Sequence, residues 1–213
     1  MLQMLKHLSL QRDDVRAAIV QHHVSSSIVQ MLHTHEWDIA SAVIARMVAK
    51  ADICSAFLDL GTPDKLVQLL DDDHLGRRPE DFFWPNGVID ALRAFSRHDT
   101  AREYMLSVSF LSPVKQLFDV SNFGFNKIAL EIFEFVIKHD DDFSILHQLD
   151  ILPRLEIMCQ VPQERPLSST PWILAKKLLR RIKESSKDEG AQEGGESSGL
   201  SAGLQASLIE KSA

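Results

Sequence analysis

One pattern occurs four times in this chain: LKHLSLQRDDVRAAIVQHHVSSSIVQML (5–32), IARMVAKADICSAFLDLGTPDKLVQLL (44–70), LRAFSRHDTAREYMLSVSFLSPVKQLF (92–118) and FEFVIKHDDDFSILHQLDILPRLEIM (133–158). Each copy opens on an apolar pair three residues apart: Leu5/Leu8, Ile44/Met47, Leu92/Phe95 and Phe133/Val136. That pair reads as the end of one helix. A polar corner with an aspartate follows, then a short helix, a break, and a second apolar helix closing at Leu32, Leu70, Phe118 or Met158. The closing residue lies 24, 23, 23 and 22 positions after its corner pair, and successive closing residues are 38, 48 and 40 apart. A helical unit of about 40–47 residues cannot bury its apolar face alone, so such copies must stack on one another.

The breaks between helices carry their own chemistry. Asp13, Asp52, Asp99 and Asp140 fall four or five residues after the corner pairs, where a carboxylate can accept from the unpaired N–H groups of the next helix. Pro63, Pro113 and Pro153 are expected in the first turn of the second helix of their repeats, where a missing N–H costs nothing. The run from Ile39 to Val48 is rich in small and aliphatic residues, as a tightly packed inner helix requires. Alternating β-branched runs with hairpin turns do not occur. The pattern therefore predicts an all-α fold: a right-handed α-solenoid of about four repeats plus a partial fifth from Thr170. Its expected limits are residues 1–184. The stretch 185–213, rich in Gly, Ser and Glu, is expected to form a disordered tail, because it cannot bury enough apolar surface to offset its ordering entropy.

Order and packing of the helices resemble the armadillo repeat over residues 1–183. Ile28-Val29-Gln30-Met31-Leu32, Leu66-Val67-Gln68-Leu69-Leu70 and Val114-Lys115-Gln116-Leu117-Phe118 are similar to the family's second helix, with the HEAT repeat as the close alternative. The resemblance implies a non-catalytic protein–protein interaction scaffold or adaptor that uses the solenoid groove. Its alternatives are a regulatory subunit acting on a small GTPase or other enzyme, or a fragment of a larger armadillo-repeat protein. Peptide-binding members of the family carry tryptophan and asparagine on the third helix. Here the tryptophan position holds Gln3, Ala42, Asp90 and Glu131, and the asparagine position holds His7, Arg46, Ala94 and Phe135. An asparagine ladder for a nuclear-localisation-type peptide is therefore not expected.

Charge and cysteine usage narrow the partners. A net charge of −7 argues against nucleic acid, since phosphate binding needs a basic face. No apolar run is long enough for a membrane span, and the start Met1-Leu2-Gln3-Met4 lacks the basic n-region of a signal peptide. Cys54 and Cys159 make neither a disulfide framework nor a zinc pair, which suits the cytoplasm or nucleus.

Candidate chemistry is sparse. His33-Thr34-His35-Glu36 and His139-Asp140-Asp141-Asp142 lack the spacing of a zinc site or a calcium loop and read as turns and caps. Neither GxSxG nor a phosphate-cradling glycine loop is present, so neither catalysis nor a cofactor is expected. Partner contact is expected instead from Arg46, Asp90, Arg93, Glu131 and Glu134 on the long inner helices, and from Phe82, Phe83 and Trp84 as an aromatic anchor. The basic amphipathic run Trp172 to Lys183 reads as the last long helix, with Leu174, Leu178 and Ile182 inward and Lys176, Lys177, Arg180 and Arg181 outward. At the other end, Leu2, Leu5, Leu8, Ile28 and Leu32 are expected to leave an apolar edge for self-association or a partner.

Overall fold

The computed structural model describes Ala18 and residues 24–71, 86–118, 123–160 and 170–192. Every regular element among them is helical. The first repeat contributes its second helix, α1 (Val24–Gln30), and its third, α2 (Trp37–Met47). The next is complete: α3 (Ala51–Leu58), α4 (Thr62–Asp71) and α5 (Asn86–Ser96). Then come α6 (Asp99–Met105), α7 (Val108–Gln116) and α8 (Phe123–Val136), followed by α9 (Phe143–Gln148), α10 (Leu152–Gln160) and α11 (Thr170–Gln192). The copies stack as a helical solenoid. Third helices pack in series, α2 on α5, α5 on α8 and α8 on α11, while first helix meets first (α3 with α6) and second meets second (α4 with α7).

One apolar core runs through the stack. All three described corner pairs lie in it, since Ile44, Met47, Leu92, Phe95, Phe133 and Val136 are fully buried. Phe118 and Phe133 stack with ring centroids 5.7 Å apart, which joins the second and third helices of one repeat. The last helix follows its expected register: Leu178 and Ile182 are buried and Leu174 packs against the core. Its polar face lies outward as expected at Lys176, Lys177 and Arg180, which are exposed. Lys177 also pairs with Glu134, and Arg181 departs from expectation: it is half-buried and donates to the carbonyls of Ile137 and Lys138 in the preceding repeat.

The α2–α5 contact is the tightest in the stack. A Cβ on Gly87 would lie 2.5 Å from the Asp38 carbonyl oxygen and 3.0 Å from the Ala42 nitrogen. Only glycine allows the two backbones to meet there. Asp38 also accepts from the Gly87 N–H at 3.3 Å, so α2 caps the first turn of α5 from outside its own repeat.

Local signals were followed unevenly. Pro63 and Pro153 stand in the first turns of α4 and α10. Pro113 does not: α7 starts five residues earlier, because the Ser107 hydroxyl accepts from the Phe110 N–H and caps the helix there. The corner aspartates also act differently from N-caps. Lys50 and His98 occupy the N-cap positions of α3 and α6 without side-chain caps, and Asp52 and Asp99 sit inside the first turns, where a negative charge favours the helix dipole. The helical backbone of α11 runs on to Gln192, eight residues into the stretch expected as tail, and the Arg180–Glu184 pair at i,i+4 lies on it. Residues 193–213, Phe82, Phe83 and Trp84, and the edge residues Leu2, Leu5 and Leu8 lie outside the described residues; Ile28 and Leu32, expected at the same apolar edge, are instead buried in the core.

Two repeats turn from first to second helix through a left-handed residue, Gly61 (φ 61°) and Asp150 (φ 50°). At Asp150 the turn is a Schellman motif: Ile151 N–H bonds the Leu146 carbonyl and Asp150 N–H bonds that of His147. No atom lies within 4 Å of a Cβ built on Gly61, so Gly61→Ala introduces backbone strain alone and should cost about 1–2 kcal/mol. Gly87→Ala introduces a backbone clash and should cost about 1–3 kcal/mol. Asp150→Gly relieves the left-handed backbone at a non-glycine residue, about 1–2 kcal/mol, against about 0.4–1 kcal/mol of added unfolded-chain entropy, and should stabilise by at most about 1 kcal/mol. Urea titrations of the three variants check this; a loss well under about 1 kcal/mol for either alanine variant, or a clear loss for Asp150→Gly, would contradict the mechanism concerned.

Candidate functional site

Because third helices stack on third helices, their exposed faces form one continuous strip. Five of the expected contact residues lie on it. Arg46 stands on α2, Asp90 and Arg93 on α5, and Glu131 and Glu134 on α8. The structure brings them together mainly with one another. Arg93 contacts Asp90 at 3.0 Å and Glu131 at 3.3 Å, Lys127 approaches Glu131 at 3.7 Å, and Lys177 reaches from α11 to Glu134. Arg46 is also engaged within the chain. The strip is a ladder of ion pairs, of which Arg93–Glu131 and Lys177–Glu134 cross between neighbouring repeats and the other two lie within one helix.

These pairs are partly exposed, with Arg93 at 31% and Glu134 at 26% side-chain exposure. Such pairs are worth about 0–1 kcal/mol each, so an incoming partner can exchange them at small cost. Between α2 and α5 the strip opens into a groove of about 230 Å³ lined by Ala42, Ala45, Arg46, Asp90, Arg93, Ala94 and Arg97. Arg97 was not foreseen; it stands one helical turn beyond Arg93, a spacing that could have marked it. Its guanidinium lies over the Phe135 ring, 5.5 Å from the centroid. A second cavity, about 380 Å³, opens between α4 and α7. There the Tyr104 hydroxyl donates to Asp64, and burial, that hydrogen bond and the Asp64 charge push its pKa up to about 12.

The corners beside the strip are closed by basic side chains that reach in from other helices. The carbonyls at a helix C-terminus lack partners within the helix. His98 Nε2 meets the Val48 carbonyl, Arg102 Nε donates to that of Val136 at 2.9 Å, and Arg181 to that of Ile137 at 3.1 Å. Lys115 does the same for Leu149. At the last corner Asp142 is buried and accepts from the backbone N–H groups of Lys138 and His139 and from Arg102. Burial alone would raise its pKa; the N–H of His139, the Arg102 guanidinium and the N–H of Lys138 outweigh that and hold it below the usual carboxylate range. Among the described side chains, Asp142 organises this corner; that of Asp140 lies outside them. Two residues of the acidic run considered as a cation loop have partners of this kind or lie exposed, Asp142 being tied to Arg102 and Asp141 facing solvent.

The histidine cluster resolves as a turn. The Thr34 hydroxyl donates to the Met31 carbonyl and accepts from the Glu36 N–H, between exposed His33 and His35. No group of three or more His, Cys, Asp or Glu gathers among the described residues. Burial raises both thiols, Cys54 to about 11, which keeps them protonated at neutral pH. No helix among the described residues is long and apolar enough to cross a membrane.

Comparison with known proteins identifies the architecture. No family model matches the chain, and no curated protein does. Solved structures do. A designed armadillo repeat protein in complex with the peptide (KR)4 is similar over 93% of this chain and 85% of its own, with a TM-score of 0.68 at 13% identity. A computationally designed armadillo repeat protein for modular peptide recognition matches over 90% and 83%, with a TM-score of 0.68 at 14% identity. An engineered protein matches over 86% and 72%, with a TM-score of 0.70 at 16% identity. The fold is an armadillo-like helical repeat.

Removing Arg102 would leave Asp142 buried and the Val136 carbonyl unpaired, so Arg102→Ala should cost about 3–5 kcal/mol. Lys177→Ala, which breaks an exposed pair, should cost less than about 1 kcal/mol. The lowered Asp142 pKa adds stability that is complete above the unfolded carboxylate value and is lost as pH falls through the folded value, below about pH 4. Asp142→Asn should therefore flatten the acid limb of the stability curve. Denaturant titrations from neutral pH to pH 2 measure both effects; an unchanged acid limb would remove Asp142 as the group responsible.

Proposed function

We propose that the protein is a non-catalytic protein–protein interaction scaffold whose partner segment lies across the exposed faces of α2, α5 and α8. The observation that carries this reading is the strip of third helices, where paired charges flank a groove floored by Ala42, Ala45 and Ala94. Small residues let an extended chain approach the helices closely, and exposed ion pairs offer charges that a partner can take over at little cost. The similar designed armadillo proteins, one of them in complex with a peptide, support the same use of the fold, although fold alone does not assign function. Asp90, Arg93, Glu131 and Glu134 would then recognise charges along the partner, with Phe82, Phe83 and Trp84, which precede α5 in the sequence, as the proposed aromatic anchor.

Selection from a displayed random peptide library tests this. Enriched peptides should lose about tenfold or more in affinity when Ala42→Trp fills the groove or Glu134→Lys breaks the ladder. Glu103→Lys, on exposed α6 surface, should have no effect. Enriched peptides indifferent to both strip variants, or no enrichment at all, would overturn the reading.

A further inference from the structure

We infer that the cavity between α4 and α7 is a second binding site, one that takes a lysine or arginine side chain of a partner protein. It lies off the third-helix strip, so it stands or falls independently of the reading above. Asp64, in the first turn of α4, and Tyr104, at the end of α6, line it together with Val67, Phe110 and Pro113. The sign of the occupant's charge follows from that lining. Asp64 is its only ionised group at neutral pH. Tyr104 donates its hydroxyl to Asp64, and with a pKa pushed up to about 12 it stays neutral. Gln68, Ser107 and Ser109 complete the lining without charge. The basic residues of the three helices that build the cavity are all committed elsewhere. Lys65 donates to the Leu60 carbonyl at 3.0 Å, Arg102 to Asp142 and the Val136 carbonyl, and Lys115 to the Leu149 carbonyl. No cation among the described residues pairs with Asp64.

A long cationic side chain answers these features together. Its methylene stem matches the apolar surface of Val67, Phe110 and Pro113, all three buried. Its charged end can reach Asp64, whose carboxylate keeps acceptor sites beyond the one that Tyr104 occupies, and a bond from an ionised donor to a carboxylate is among the stronger ones. The Tyr104 ring, 40% exposed, offers the same cation an aromatic surface. At about 380 Å³ the cavity lies at the lower end of the range of binding clefts, which suits one side chain rather than a whole segment. Gln68 and Ser109 are exposed, so an amide and a hydroxyl stand free to bond a partner's backbone. That favours a side chain carried on a peptide over a free amine.

Amide NMR of the full chain, titrated with the N-acetyl methylamides of lysine, arginine and norleucine and with n-butylammonium, decides the point. Lysine or arginine should shift the Gln68, Tyr104 and Ser109 amides saturably, with an affinity at least about tenfold above that of norleucine, which has the stem without the charge. Asp64→Asn, which keeps an acceptor for Tyr104 and removes the charge, should weaken binding about tenfold or more. Asp52→Asn makes the same change at an exposed first-turn aspartate of α3 and should leave binding unaltered. Norleucine binding as tightly as the cations would overturn the inference, as would cation binding that survives Asp64→Asn or the absence of saturable shifts with both cations. Equal affinity for n-butylammonium and the capped lysine would overturn the assignment to a peptide side chain. The library selection judges the scaffold reading separately.

Discussion

Helix-on-helix contact along the third helices is the constraint from which the remaining features follow. Where α2 meets α5, the Asp38 carbonyl and the Ala42 nitrogen leave no room for a side chain at position 87, and the Asp38 carboxylate completes the first turn of α5. Close approach at that end, combined with alanines at 42, 45 and 94, sets the two helices beside each other so that their exposed faces form one strip. A larger residue at 87 would force the helices apart, and the groove lined by Arg46, Arg93 and Arg97 would change shape with it. Fold and candidate site therefore share one packing contact.

Repeats are also joined by electrostatics at their ends. A helix finishes with carbonyls that its own backbone cannot satisfy, and at the ends of α2 and α8 basic side chains from other helices supply donors. His98 serves Val48, Arg102 serves Val136, and Arg181 serves Ile137 and Lys138. Those of His98 and Arg181 come from a later repeat, so these two corners depend on a neighbour. In a solenoid, where stability is a sum of unit and nearest-neighbour terms, such bonds couple adjacent units without lengthening the core. The buried Arg102–Asp142 contact is the strongest of them, because its carboxylate also holds two backbone N–H groups.

Charges on the strip have a different role from those at the corners. At the corners they are buried or directed at the backbone, and losing one leaves an unsatisfied partner. On the strip they pair side chain to side chain in contact with solvent, where water can replace either member. That difference separates what holds the repeats together from what is available to a partner.

The helical repeat was legible in the sequence because apolar spacing is a local property: Ile44/Met47, Leu92/Phe95 and Phe133/Val136 announce a buried helix face whatever surrounds them. Positions of Pro63 and Pro153 were legible for the same reason, as a proline constrains its own turn. Pro113 was not, because the Ser107 cap starts α7 one turn earlier. The sequence also placed Arg46, Asp90, Arg93, Glu131 and Glu134 on the inner helices. It could not say that Arg93 would meet Glu131, or Lys177 meet Glu134, since those residues are 38 and 43 positions apart and meet only through the stacking geometry. The same holds for Asp38 capping α5 from 49 residues away. Local periodicity determined which faces are apolar and which residues are exposed; the offset between successive third helices decided which charges meet.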